Sequence, residues 1–481
     1  VKTHKVAAGA QARTVGDAKQ CGLSQQPRTS CMSRLPSPRL ASLVLAALCS
    51  AGLAHAQGSA VAPTPAQVRP AVDQAYTQLM AAPAIRQLLE AVQADHARSI
   101  EDLKRLTEIE APPFKEQRRA EAFLARLQAL GLRDARIDAE GNVVGLRKGT
   151  GQGPKLLVSA HLDTVFPAGT DVTVKEQGGK LHAPGISDNT RGLAVLLSWL
   201  KVLNDQKIQT TGDLLFVGNV GEEELGNLRG MKALFEEHRD IDGMVAIEPA
   251  ADGTVLVLGT ASHRYEVTFK GPGGHSYGAF GQVPSAIHGM GRAIAKIAEV
   301  RTPSFPKTTF TVGTVGGGTS VNTIAPEARM AVDIRSDQMD ALLETEQKIL
   351  AAIDEAVAEE NRRWNVNTLS VSRKLIGDRP GGRTAADSVI VEAATRANAA
   401  FGQKTLLSGA STDANVPMSL GIPAIVIGGG GKTGGFHALS EWIDLTDGWK
   451  GAQRSLVTVL GLVGVNGVSQ PLLERRPPRA K

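Results

Sequence analysis

Residues 155–166 read KLLVSAHLDTVF, an apolar run that stops at a histidine and an aspartate separated by one leucine. An unbroken apolar run of this kind predicts a strand buried on both faces, as found inside a parallel sheet. Such a strand does not need His161 or Asp163 for burial, so their place at its end marks a candidate site. Outward from this strand the pattern alternates. RGLAVLLSWLKVLN (191–204) is helical, DLLFVGNVG (213–221) strand-like, LRGMKALFEEH (228–238) helical and GMVAIEPA (243–250) strand-like. Near the end, ATRANAAFG (394–402) is helical and PAIVIGGG (423–430) strand-like. Upstream, residues 83–109 and 115–132 carry apolar residues at helical spacing, and Gly131 closes the second segment. The pattern predicts an α/β fold with a mostly parallel sheet covered by helices.

One stretch departs from the alternation. HRYEVTFKGPGG (263–274), TTFTVGTVGGG (308–318) and ARMAVDIRS (328–336) alternate apolar and polar residues, and they are interleaved with helical runs at 285–300 and 339–361. That order predicts a smaller α+β domain with an antiparallel sheet, inserted at residues 262–373 between a first catalytic part, 57–261, and a second, 374–468. ERRPPRAK at the end places residues 469–481 as a flexible basic tail.

With 481 residues the chain has length for two sizeable cores. Residues 32–56 read as a signal peptide. Arg34 and Arg39 precede the apolar ASLVLAALCSAGLA, and Ala54-His55-Ala56 forms a small-x-small cleavage site after Ala56. Residues 1–31, upstream of Met32, read as an over-extended start. The expected location is therefore periplasmic or secreted. The formal charge of +5 belongs to this leader, because beyond residue 56 the chain carries 46 basic and 47 acidic residues. Nothing there calls for a nucleic acid partner, and no segment is long and apolar enough to predict a membrane span. All three cysteines (Cys21, Cys31, Cys49) also fall within the leader and its upstream extension, which leaves histidines and carboxylates to bind any metal.

Ligands of an open parallel sheet bind beyond the carboxyl ends of its strands. Those ends deliver His161 and Asp163, then Glu222 and Glu223, then Glu248, then a glycine-rich segment carrying His437; Asp188 opens the helix that follows GISDN. Taken singly each has an ordinary reading: a surface histidine, a solvated charge run, a helix cap, a turn. Together, so many carboxylates in one crevice would repel unless cations sat among them. Nitrogen and oxygen donors without sulfur suit Zn²⁺ first, with Mn²⁺ or Co²⁺ as substitutes.

The motifs HLDTV, GISDN, GEEELG, IEP, GGHSYG, NTIAP, DIR and GFHALSEW stand in one order along nearly the whole chain beyond the leader. In this the sequence resembles the co-catalytic zinc metallopeptidase family of carboxypeptidase G2, peptidase T and the aminoacylases. The resemblance implies two Zn²⁺ per subunit, with His161 and Glu248 holding one, Glu223 and His437 the other, and Asp188 bridging through a cis bond to Asn189. It implies Glu222 as general base and Asp163 as the group orienting His161. Arg335 would pair with a substrate carboxylate and Asn322 would bond the same end. His275 would stabilise the oxyanion from a neighbouring subunit, which makes a homodimer through the inserted domain the expected assembly. The residues following Asp188, Asn-Thr-Arg, depart from many members. Asp413 in ASTDAN is a further candidate for the site wall, whereas His182, His263 and His288 read as structural.

The activity this implies is hydrolysis of a terminal amide bond of a short peptide. Deacylation of an N-acyl amino acid would use the same site, and Arg335 does not separate the two, because both substrates present a carboxylate. A non-catalytic zinc- or peptide-binding protein is the third reading, which an intact Glu222 argues against.

Overall fold

The computed structural model describes residues 67–151 and 153–480. The expected leader, its cleavage point and the upstream segment lie outside the described residues. Four parallel strands form the centre of a nine-stranded sheet: Asp213–Asn219, Lys155–His161, Gly243–Glu248 and Ala424–Gly428, side by side in that order. Their residues are almost wholly buried, as unbroken apolar runs require. Antiparallel neighbours, Val143–Arg147 and Thr254–Gly259, flank this centre, so the sheet is mixed with a parallel middle.

Helices cover both faces. One face packs against Arg191–Asp205, Val389–Ala400 and Gly448–Val463, whose apolar residues merge with the strands into the largest core. The other is covered mainly by Arg229–Glu237, through Met231, Leu234 and Phe235. Three short helices open the described chain. The segment expected as one helix from residue 83 is split at Asp95 into Pro83–Ala94 and His96–Thr107, and Asp95 accepts hydrogen bonds from Arg98 and from Ser198 on the sheet-covering helix.

A second, four-stranded antiparallel sheet has the order Thr308–Gly317, Glu327–Ser336, Ala261–Lys270, Ser370–Arg379. Helices Ala286–Ala298 and Met339–Arg363 close its own separate core. The expected boundary at residue 373 falls inside the strand Ser370–Arg379, so the sheet runs on to Arg379. That edge strand is polar and mostly exposed, which hid it from a reading by alternation. A third sheet of three-residue strands joins Lys175–Gln177 and Lys180–His182 to Lys432–Gly434 and Trp442–Asp444.

The end of the chain is not a free tail. Leu473 is buried in the main core, the amides of Leu472 and Leu473 donate to Gly461 and Leu462, and the Arg479 guanidinium lies over the Phe235 ring. Among the described residues no helix is long and apolar enough to cross a membrane.

Candidate active site

The carboxyl ends of the four central strands converge on one cavity of about 1530 Å³, whose wall includes His161, Asp188, Glu222, Glu223, Glu248, Arg335 and His437. His161 ends its strand, paired in register with Asn219, and Glu248 ends the next. Glu222 and Glu223 follow Asn219 after a turn in which Gly221 has φ 72°. Asp188 hangs in the loop before Arg191–Asp205, where the Asp188–Asn189 peptide is cis, as the resemblance implied. Two contacts fix this loop against the strand ends. Asn189 Nδ2 donates to the Ile247 carbonyl at 2.8 Å. Gly192 packs so closely that a Cβ would lie 2.7 Å from both Ala160 Cβ and the Ile247 carbonyl oxygen, so only glycine fits.

Two donor sets share Asp188. Its Oδ1 is 3.0 Å from His161 Nε2, and Glu248 Oε2 is 3.6 Å from the same nitrogen. Its Oδ2 is 3.4 Å from His437 Nε2, and Glu223 Oε1 is 3.3 Å from that nitrogen. Within each triad, His161–Asp188–Glu248 and Asp188–Glu223–His437, one ligand atom per residue lies within 4.8 Å of the others. Glu222 comes near His161 and Glu223 in the same way. Arg379 singles Glu222 out, donating Nη1 to its Oε1 at 3.2 Å and Nη2 to its backbone carbonyl.

The electrostatics follow from this crowding. Burial lifts the Glu222 carboxyl well above the usual range, with Arg379 opposing and Glu223 adding to the rise. Burial also pushes Glu248 up to about 7. His437 rises to about 10, because Asp188 and Glu223 accept from it. Burial lowers the proton affinity of His161, but Glu248 and Asp188 outweigh it and the net direction is up. Asp188, against its own burial, is held low by the two histidines.

Asp163 follows the end of the His161 strand and meets that histidine through its backbone. Its backbone carbonyl, 3.0 Å from His161 Nδ1, orients the ring, whereas its carboxylate stands 3.7 Å away. That carboxylate accepts instead from the amides of Glu222 (3.1 Å) and Glu223 (2.7 Å).

Arg335 reaches the cavity from the second sheet with its Nε on Asp333 at 2.7 Å. Asn322 and His275 do not line the cavity. They lie together beside a two-residue ribbon pairing Gly274 with Ile324 and His275 with Thr323, so within one chain Asn322 is not at the end of the substrate site where the resemblance placed it. Asp413 lies behind the wall, fully buried, and accepts from Asn219 Nδ2 at 2.6 Å; burial pushes it up to about 6. His263 bonds Glu346 and sits away from the cavity wall.

Sequence reasoning missed Arg379, Glu441 and Arg191. Arg379 had no signal, because it ends a strand that alternation does not show. Arg191 stood in view as the departure after Asp188. Its buried guanidinium donates to the carbonyls of Gly429, Gly430 and Gly448, pinning the segment that leads to His437.

A parallel-centred sheet with histidines and carboxylates gathered at its carboxyl edge, beside an inserted antiparallel sheet, defines a metallopeptidase-type hydrolase. The chain belongs to peptidase family M20/M25/M40, whose sequence model matches residues 157–459. It is 29% identical over 299 residues to the uncharacterized protein YqjE of Bacillus subtilis (strain 168), covering 59% of this chain and 75% of that one. To carboxypeptidase G2 of Pseudomonas sp. (strain RS-16) it is 31% identical over 201 residues, 39% of this chain and about half, 48%, of that protein's length. Among solved structures, aminopeptidase PepT of Bacillus cereus superposes with a TM-score of 0.62 at 23% identity, covering 76% of this chain and 98% of that one, a likeness of fold.

Proposed function

We propose that the protein is a di-zinc exopeptidase that hydrolyses the terminal amide bond of short peptides outside the cytoplasm. The observation that carries this reading is the division of Asp188, whose two carboxylate oxygens face two different histidine–carboxylate pairs. The donors fit two zinc ions. All are nitrogen or oxygen, each triad supplies three donors, and the buried Glu248 Oε1 has no hydrogen-bond partner among the described residues. Zinc held there by these residues would acidify the attacking water and polarise the scissile carbonyl.

The chain's own groups supply the rest. His161 donates Nδ1–H to the Asp163 carbonyl, which leaves Nε2 free to ligate. Glu222, held by Arg379 and by the Asp163 carboxylate, takes the proton of the attacking water and delivers it to the leaving nitrogen. Burial that raises a carboxyl's affinity for a proton suits that task. Arg335, with Nε on Asp333, presents its remaining guanidinium N–H groups to a substrate carboxylate. His275 acts in a partner's site. Its Nδ1 accepts from the amides of Tyr277 and Gly278, so Nε2 carries the proton and can donate to an oxyanion. Tyr277, Phe280 and Val321 around it are highly exposed, as an unpaired dimer face would be. Export rests on the leader pattern of residues 32–56.

Mass spectrometry of a dipeptide, tripeptide and N-acyl amino acid panel, incubated with zinc-loaded protein, tests the activity. Loss of one terminal residue from peptides is the expected result. Turnover of the N-acyl amino acids alone would replace the peptidase reading with a deacylase one.

A further inference from the structure

Glu441 is fully buried and forms no ion pair among the described residues. Both its carboxylate oxygens are committed to the loop that carries Asp188. Oε1 accepts from the Ser187 amide at 2.8 Å, the Ser187 hydroxyl at 2.6 Å and the Asp188 amide at 3.0 Å, and Oε2 accepts from the Gly185 amide at 3.0 Å. Its backbone carbonyl accepts from Ala183, and its own amide donates to Ala438, next to His437. One residue thus ties the segment of the shared carboxylate to the segment of His437. A buried carboxylate stripped of water is costly, and here the compensation comes from four donors on one short loop.

Resting on the two-metal reading above, we propose that Glu441 is a positioning residue that holds Asp188 and His437 in the register their shared metal ion requires. Within the loop 183–188 a single turn, Pro184–Gly185, precedes Asp188, and Gly185 adopts φ 76°. Without the clamp, the Asp188 amide and the Ser187 hydroxyl lose their partner and the carboxylate loses its fixed direction. A glutamine at 441 keeps the shape, but its amide nitrogen must face N–H donors on one side. The effect belongs to metal affinity first and to activity only through it.

The test is a zinc titration of chelator-stripped protein against a chromophoric competitor, with circular dichroism and the visible spectrum of the Co²⁺ form alongside. Wild type is expected to take two zinc ions. Glu441→Gln should bind them at least about tenfold more weakly, the size typical of losing a group behind a metal ligand, with an altered Co²⁺ spectrum and unchanged secondary structure. Ser187→Ala, which removes one of the four bonds, should weaken binding in the same direction by less. Wild-type zinc affinity in both variants, with only a lower melting temperature, would overturn the inference and leave the two-metal reading intact. A wild type that binds no zinc would overturn both. Should Glu441→Gln not fold, Ser187→Ala decides by the same comparison.

Discussion

Asp163 and Glu222 show how closely the chemistry is shared between neighbours. The Asp163 carbonyl sets the His161 tautomer while its carboxylate carries the Glu222 and Glu223 amides, so one residue aligns a metal donor and the base. Glu222→Gln should keep both metals and lose activity by on the order of 10²–10⁴-fold, since an amide cannot accept the proton. Glu223→Gln should lose metal instead; elemental analysis showing equal zinc loss in both would remove this division of labour. Arg335→Ala should raise KM for substrates with a free carboxylate and change little for amidated analogues, and equal effects on both would make Arg335 a partner of Asp333 only. The metal-ligand candidates were legible in the sequence, because each stands at or just past the end of an apolar run or opens a helix, where topology alone brings them together. The contacts behind them were not. Glu441, Arg191 and Arg379 act across about 160 to 260 positions of sequence, largely through backbone groups, and no local pattern encodes that.

At the level of elements, strands buried on both faces announce themselves, and edge strands do not. The four central strands were readable as apolar runs. Ser370–Arg379 is polar and mostly exposed, and the strands near His437 are only three residues long, so their sheets take shape only from pairing partners far along the chain. The tail misled in the opposite sense: its charges suggested fraying, yet Leu473 is buried in the core. The helix Arg191–Asp205 depends on a close approach at its start. Gly192→Ala would set a Cβ 2.4 Å from Asn189 Oδ1 and 2.7 Å from Ala160 and Ile247. Overpacking of this kind costs about 1–3 kcal/mol, measurable by chemical denaturation, and should also weaken zinc binding because Asp188 moves with the helix start. A neutral substitution would mean that the helix slides freely and the approach is not required.

For the molecule as a whole, the two sheets divide the labour. The large sheet gathers the candidate metal donors, the four-stranded one brings Arg335 to the cavity, and the separate Gly274–His275 ribbon leaves His275 exposed. Mixing Glu222→Gln subunits with His275→Ala subunits, each inactive alone, should restore roughly a quarter of wild-type activity after random exchange, because about half the dimers are mixed and each holds one complete site. No recovery after confirmed exchange would place His275 outside the chemistry. The central claim, that two metals share Asp188 in one hydrolytic site, is most directly tested by adding zinc back to chelator-stripped protein and following peptide hydrolysis against equivalents added. Activity should be absent at the start and reach its plateau at two equivalents per chain. Full activity in the stripped protein, or a plateau at one equivalent, would contradict it.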